Sequence, residues 1–114
     1  MTDQELLELA AKAAGIYGDY SPKADAIVTS DKYWMPHKDD VDALKLVVDL
    51  NLEVERNRYG NKFYVGPYGK VKLMEDSDDH WIDVDDALGA RKRAFRYAIL
   101  SAAAEIGKSM EKSQ

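Results

Sequence analysis

The passage that most constrains this chain is Trp34-Met35-Pro36-His37-Lys38-Asp39-Asp40-Val41-Asp42-Ala43-Leu44-Lys45-Leu46-Val47-Val48, an aromatic-proline turn that runs directly into an apolar helical pattern. Proline at position 36 holds Met35 extended. Asp39 or Asp40 can then accept hydrogen bonds from the first free helical amides and complement the positive end of the helix dipole, so a helix is predicted from about Asp39 to Leu50. Val41, Leu44, Val48 and, one position round, Val47 share one side, predicted to be the packed one, while Asp42, Lys45 and Asp49 are expected to face water. Trp34 is expected to anchor the turn against the domain, and Asn51 to end the helix.

The flanking sequence supplies the layers this helix can pack against. Thr2 with Glu5 three residues on forms a capping box, and Leu6, Leu9, Ala10, Ala13 and Ala14 follow at helical spacing up to a stop at Gly15. Two glycines and a proline between Gly15 and Lys23 predict a loop, with a brief extended piece at Ile16 and Tyr17. Ala26-Ile27-Val28-Thr29 suits a short strand leading into the Trp34 turn. Leu52 to Arg56 alternates apolar and charged residues, Tyr59-Gly60-Asn61-Lys62 gives a turn, and Phe63-Tyr64-Val65 resumes extended structure. Gly66-Pro67-Tyr68-Gly69 makes a second turn before Lys70-Val71-Lys72-Leu73-Met74, completing an antiparallel meander of at least three strands. A long helix is predicted from near Asp83 to about Ser109, carrying Val84, Leu88, Phe95, Ala98, Ile99, Ala102 and Ile106, with Gly107 and the polar tail 108–114 expected to fray. The pattern predicts one α+β domain over residues 1–114, its antiparallel sheet layered with helices as an α/β/α sandwich.

Composition narrows the function classes. A chain of 114 residues can bury one core, and the absence of cysteine excludes disulfides, thiol catalysis and thiolate metal sites. With 21 acidic against 16 basic residues the net charge is -5, which disfavours whole-molecule attraction to nucleic acid. No basic-then-apolar leader and no bilayer-length apolar run occur, so a cytoplasmic protein without membrane contact is expected.

The Trp34–Val48 passage resembles the phage ABA sandwich proteins, a family of small phage and prophage proteins that usually shows a tryptophan, asparagine and proline, then two acids, a glycine and Asp-Ala-Leu. Trp34, Pro36, Asp39, Asp40, Asp42, Ala43 and Leu44 match; Met35 replaces the usual asparagine and Val41 the usual glycine. The likeness extends to Glu5–Gly15, to Ala90–Phe95 and to Ala102–Gly107. It implies a sheet between helical layers, a phage context and the cytoplasm of a bacterial host. It implies no catalytic residue and no cofactor.

The candidate chemistry is sparse. His37, Asp39, Asp40 and Asp42 contain metal-ligating atoms, but acids at a helix start are caps first, and Lys38 opposes a cation; no metal is expected there. Glu75, Asp76, Asp78, Asp79 and His80 lack the spaced carboxylates and central glycine of a calcium loop. No glycine-flanked serine pairs with a histidine, and no phosphate-cradling loop is present, so an enzyme is not expected. The leading expectation is a noncatalytic phage accessory protein that binds a host or phage macromolecule, as in the blunting of host defence, with Trp34, Tyr59, Tyr64 and Tyr68 as candidate contact residues. The alternative is nucleic-acid binding through Arg91, Lys92, Arg93 and Arg96 on the last helix. A small-molecule enzyme stands third.

Overall fold

A computed structural model describes residues 2–56, 62–67, 73–76 and 84–112. The described residues form an α+β fold in the order α1 (Asp3–Ala14), β1 (Asp19–Ser21), β2 (Ala26–Val28), β3 (Tyr33–Trp34), α2 (Asp40–Asp49), β4 (Leu52–Arg56), β5 (Lys62–Pro67), β6 (Leu73–Asp76) and α3 (Val84–Lys112).

Capping sets the ends of the two N-terminal helices. Thr2 accepts the Glu5 amide at 3.2 Å through its Oγ1, and Gly15 closes α1 in the left-handed region at φ 71°. The α1 face toward the core is Leu7, Ala10 and Ala11, rotated by about one residue from the face predicted through Leu6 and Leu9. Asp39 caps α2, its Oδ1 accepting Val41 N–H at 2.8 Å and Asp42 N–H at 3.2 Å. Asn51 follows with φ 53°, a conformation asparagine tolerates better than most side chains, and turns the chain into β4.

The sheet prediction needs one correction and stands in the main. The meander is present as the antiparallel sheet β4-β5-β6, with Val54 opposite Val65 and Val65 opposite Leu73. A second antiparallel sheet, β1-β2-β3, lies where a loop was expected around residues 19–21. Its strands are two or three residues long, and Ile27 pairs with both Tyr20 and Trp34. The turns at 57–61 and 68–72 lie outside the described residues.

Helix α3 is the central element. It packs against α1, α2, β5 and β6. Ala98, Ile99, Leu100, Ala102, Ala103 and Ala104 are all buried, so most of its circumference is covered and a single-face pattern understates its role. Alanines allow the backbones to approach closely. Gly107 is the extreme case: a Cβ there would lie 2.0 Å from the Leu9 carbonyl oxygen. The expected stop at Ser109 is therefore overrun, because Gly107 is a packing contact with α1 and the helix continues to Lys112, with Lys12 and Glu111 paired at 3.5 Å. No helix among the described residues is long and apolar enough to cross a membrane.

Candidate functional site

The turn before α2 fixes how that helix presents its side chains. Trp34 is 4% exposed and belongs to the core with Ile27, Leu46 and Ile99, and Pro36 is buried beside the turn. Asp42 is the correction with the largest consequence. Expected in water, it is fully buried, and its carboxylate accepts the Met35 amide at 3.0 Å and the Lys32 ammonium. Hydrogen bonding to Asp42, against the opposing effect of desolvation, raises the Lys32 pKa above the ordinary lysine value. A carboxylate one turn into the helix thus reaches back to clasp the strand end and the turn that precede it.

Burying Asp42 turns the whole of α2. Ala43 and Leu46 go inward with it, and Val41, Leu44 and Val48 emerge at 58%, 62% and 70% exposure. The side predicted to pack is the side that faces out. Apolar residues at 41, 43, 44, 46, 47 and 48 spread over more than half of the helix's circumference, so periodicity leaves the centre of the packed face loosely defined; the buried acid decides it.

The outward face adjoins an open groove of about 350 Å³ between α2 and α3. Asp40, Ala43, Leu44 and Val47 line it from α2, Lys92, Phe95, Arg96 and Ile99 from α3, and Val54 from β4. Each helical set repeats at i, i+3, i+4 and i+7, so each helix contributes one stripe. Phe95, expected to be buried, is only half-buried and forms part of this wall. Arg96 is not a free phosphate ligand: its Nη1 donates to Asp40 Oδ1 at 2.7 Å and its Nε to the His37 carbonyl at 3.0 Å. Lys92 and Arg93 are exposed, while the side chain of Arg91 lies outside the described residues.

A second polar cluster sits beneath the same turn. His37 is 2% exposed, and its Nε2 lies 3.1 Å from Asp25 Oδ2, which also meets Lys38 Nζ at 3.1 Å. Tyr20 donates its hydroxyl to Asp25 Oδ1 at 2.9 Å. Burial pushes the Asp25 carboxyl up, but the hydrogen bonds from His37, Tyr20 and Lys38 outweigh it and hold the pKa down at about 2. Tyr97 stands edge-on to the His37 ring and donates to Asp3 Oδ2 at 2.8 Å; burial first and that acceptor second push its hydroxyl up to about 12.

Asp3, Asp25 and His37 bring one potential ligand atom each within 4.8 Å of one another. Lys38 places an ammonium on the same Asp25 oxygen, and both carboxylates already accept tyrosine hydroxyls, so the arrangement serves to tie α1, the β1–β2 turn and the Pro36 turn to α3. A histidine beside an acid also has the atoms of a catalytic dyad. Among the described residues, however, no serine or threonine hydroxyl bonds to His37, and its ring is shut away from solvent.

The four residues first grouped as a ligand set are dispersed among separate tasks. Asp39 caps, Asp40 pairs with Arg96, Asp42 clasps the turn and His37 joins Asp25. Of the acidic loop, Glu75 and Asp76 lie on β6 opposite Phe63 and Lys62, and 78–80 fall outside the described residues. Of the candidate contact aromatics, Trp34 is in the core, Tyr64 is placed on β5 between Glu55 and Met74, and Tyr59 and Tyr68 lie outside the described residues. The exposed α2 stripe and the Asp25–His37 cluster were not anticipated. The signal for the first was weak, because Asp42 is one of four charged residues on α2, with Asp40, Lys45 and Asp49. Comparison with known proteins finds no family model, no curated protein and no solved structure that matches the chain.

Proposed function

We propose that this chain is a noncatalytic binding protein, an accessory protein of phage or prophage origin as the Trp34–Val48 resemblance implies, that acts by holding a host or phage protein against the outward face of α2. The observation that carries the reading is the run of Val41, Leu44 and Val48, all more than half exposed, beside an apolar groove. A contiguous apolar surface rimmed by charge is a recurrent mark of protein contact. Among the described residues, α2 packs into the core through Ala43 and Leu46, on the other side of the same helix.

Affinity capture from bacterial lysate tests this directly when wild type and a folded Leu44→Asp variant are run side by side. The reading expects a stoichiometric protein partner that wild type retains and Leu44→Asp loses. Identical captures by the two, or a small-molecule turnover unaffected by the substitution, would overturn it. Nucleic-acid binding is less well supported, because Arg96 is committed to Asp40 and the His37 carbonyl.

A further inference from the structure

We infer that the partner segment seated in the α2–α3 groove is an amphipathic helix with an acidic residue flanking its apolar stripe, an inference that rests on the docking face proposed above. Two features select this occupant. The groove walls are single stripes from two helices, each repeating at i, i+3, i+4 and i+7, and such ridged walls receive the ridge of a third helix. An extended strand would instead need backbone hydrogen-bond partners, and the lining is almost wholly side-chain carbon.

Charge then selects the flank. Asp40 is neutralised by Arg96 at 2.7 Å, which leaves Lys92 at the rim without an ion pair to any described residue and Arg93 exposed one position on. Val54 is the β4 residue in the groove, and the alternation of the strand turns its neighbours Glu53 and Glu55 to the opposite face. Among the described residues the rim is therefore locally basic, on a chain whose net charge is -5. An acid on the incoming helix meets Lys92 at close range, and a base there is repelled.

Selection from a displayed library of random 16-residue peptides against the full chain is the test. Expected are peptides with apolar residues at helical spacing and Asp or Glu alongside, lost on Leu44→Asp and bound about tenfold more weakly by Lys92→Glu, which should in turn favour lysine-flanked peptides. Peptides that depend on Leu44 but show no acidic preference, or are indifferent to Lys92→Glu, would overturn this inference and leave the docking face standing. Extended peptides at the same face would do likewise. Peptides indifferent to Leu44→Asp, or no enrichment at all, would overturn both. A concentration-dependent dimer abolished by Leu44→Asp would make a second copy the occupant and also overturn the inference.

Discussion

The Asp42 carboxylate accepts the Met35 amide at 3.0 Å, so that a side chain of α2 holds the backbone of the turn that launches it. With the Lys32 ammonium on its other oxygen, Asp42 joins β3, the Pro36 turn and α2 into one unit. The rotation of α2, and with it the exposure of the valine and leucine stripe, follows from this clasp.

Removing the clasp should cost far more than removing the cap. Asp42→Ala leaves the part-buried Met35 amide without its acceptor and the Lys32 ammonium without its partner, and is expected to destabilise the fold by about 2–3 kcal/mol. Asp39→Asn should change little because asparagine still caps, and Asp39→Ala should cost about 1 kcal/mol. Urea titrations of the three variants check the ranking; an Asp42→Ala midpoint at or above that of Asp39→Ala would contradict it.

Trp34 and Leu44 make a second contrast. Trp34→Ala empties a core position and should cost about 3–5 kcal/mol, whereas Leu44→Ala, at 62% exposure, should stay within about 0.5 kcal/mol. Phe95→Ala should fall between them, since the ring is half-buried at the groove wall. Thermal melts of the three would expose an error if Leu44→Ala proved as damaging as Trp34→Ala.

Gly107→Ala reverses the usual effect of alanine in a helix. Propensity alone favours alanine by about 1 kcal/mol, but the new Cβ would meet the Leu9 carbonyl oxygen at 2.0 Å and force α1 and α3 apart. A net destabilisation of about 1–3 kcal/mol is expected from such overpacking. A variant more stable than wild type in chemical denaturation would show that the two helices do not approach so closely.

The Asp25 cluster predicts a particular acid response. Its carboxyl pKa is lowered from 3.8 to about 2 in the fold, so the associated stability is complete above about pH 4 and is lost as pH falls through 2. Asp25→Asn should flatten the stability profile between those limits. Tyr97 has the opposite sign: raised from 10.0 to about 12, it stabilises fully below pH 10 and loses that contribution as pH climbs toward 12, a loss that Tyr97→Phe should remove. Unaltered slopes in the two variants would separate these groups from the pH response.

Features carried by neighbouring residues were legible in the sequence. The caps at Thr2 and Asp39, the end of α2 before Asn51 and the β4–β5 pairing all arise from contacts within a few residues or from strict alternation. The face of α2 was not, because apolar residues occupy positions 41, 43, 44, 46, 47 and 48 and the deciding partner of Asp42 is a backbone amide, which no side-chain pattern reports. Sheet β1-β2-β3 was hidden by strands too short to show alternation. His37 and Asp25 lie 12 residues apart and meet only once Tyr20 and Trp34 have both paired with Ile27. Helix α3, packed by elements on several sides, showed a periodicity that accounted for part of its buried surface.

The orientation of α2 underlies the docking face, and the absence of native cysteine allows it to be read by thiol labelling of single substitutions. Leu44→Cys should react with a maleimide or disulfide reagent as fast as an unfolded peptide thiol, while Leu46→Cys, at a position 2% exposed in the native chain, should react only through opening of the fold. Protection of position 44 together with fast labelling at position 46 would place the opposite side of α2 outward and contradict the account at its base.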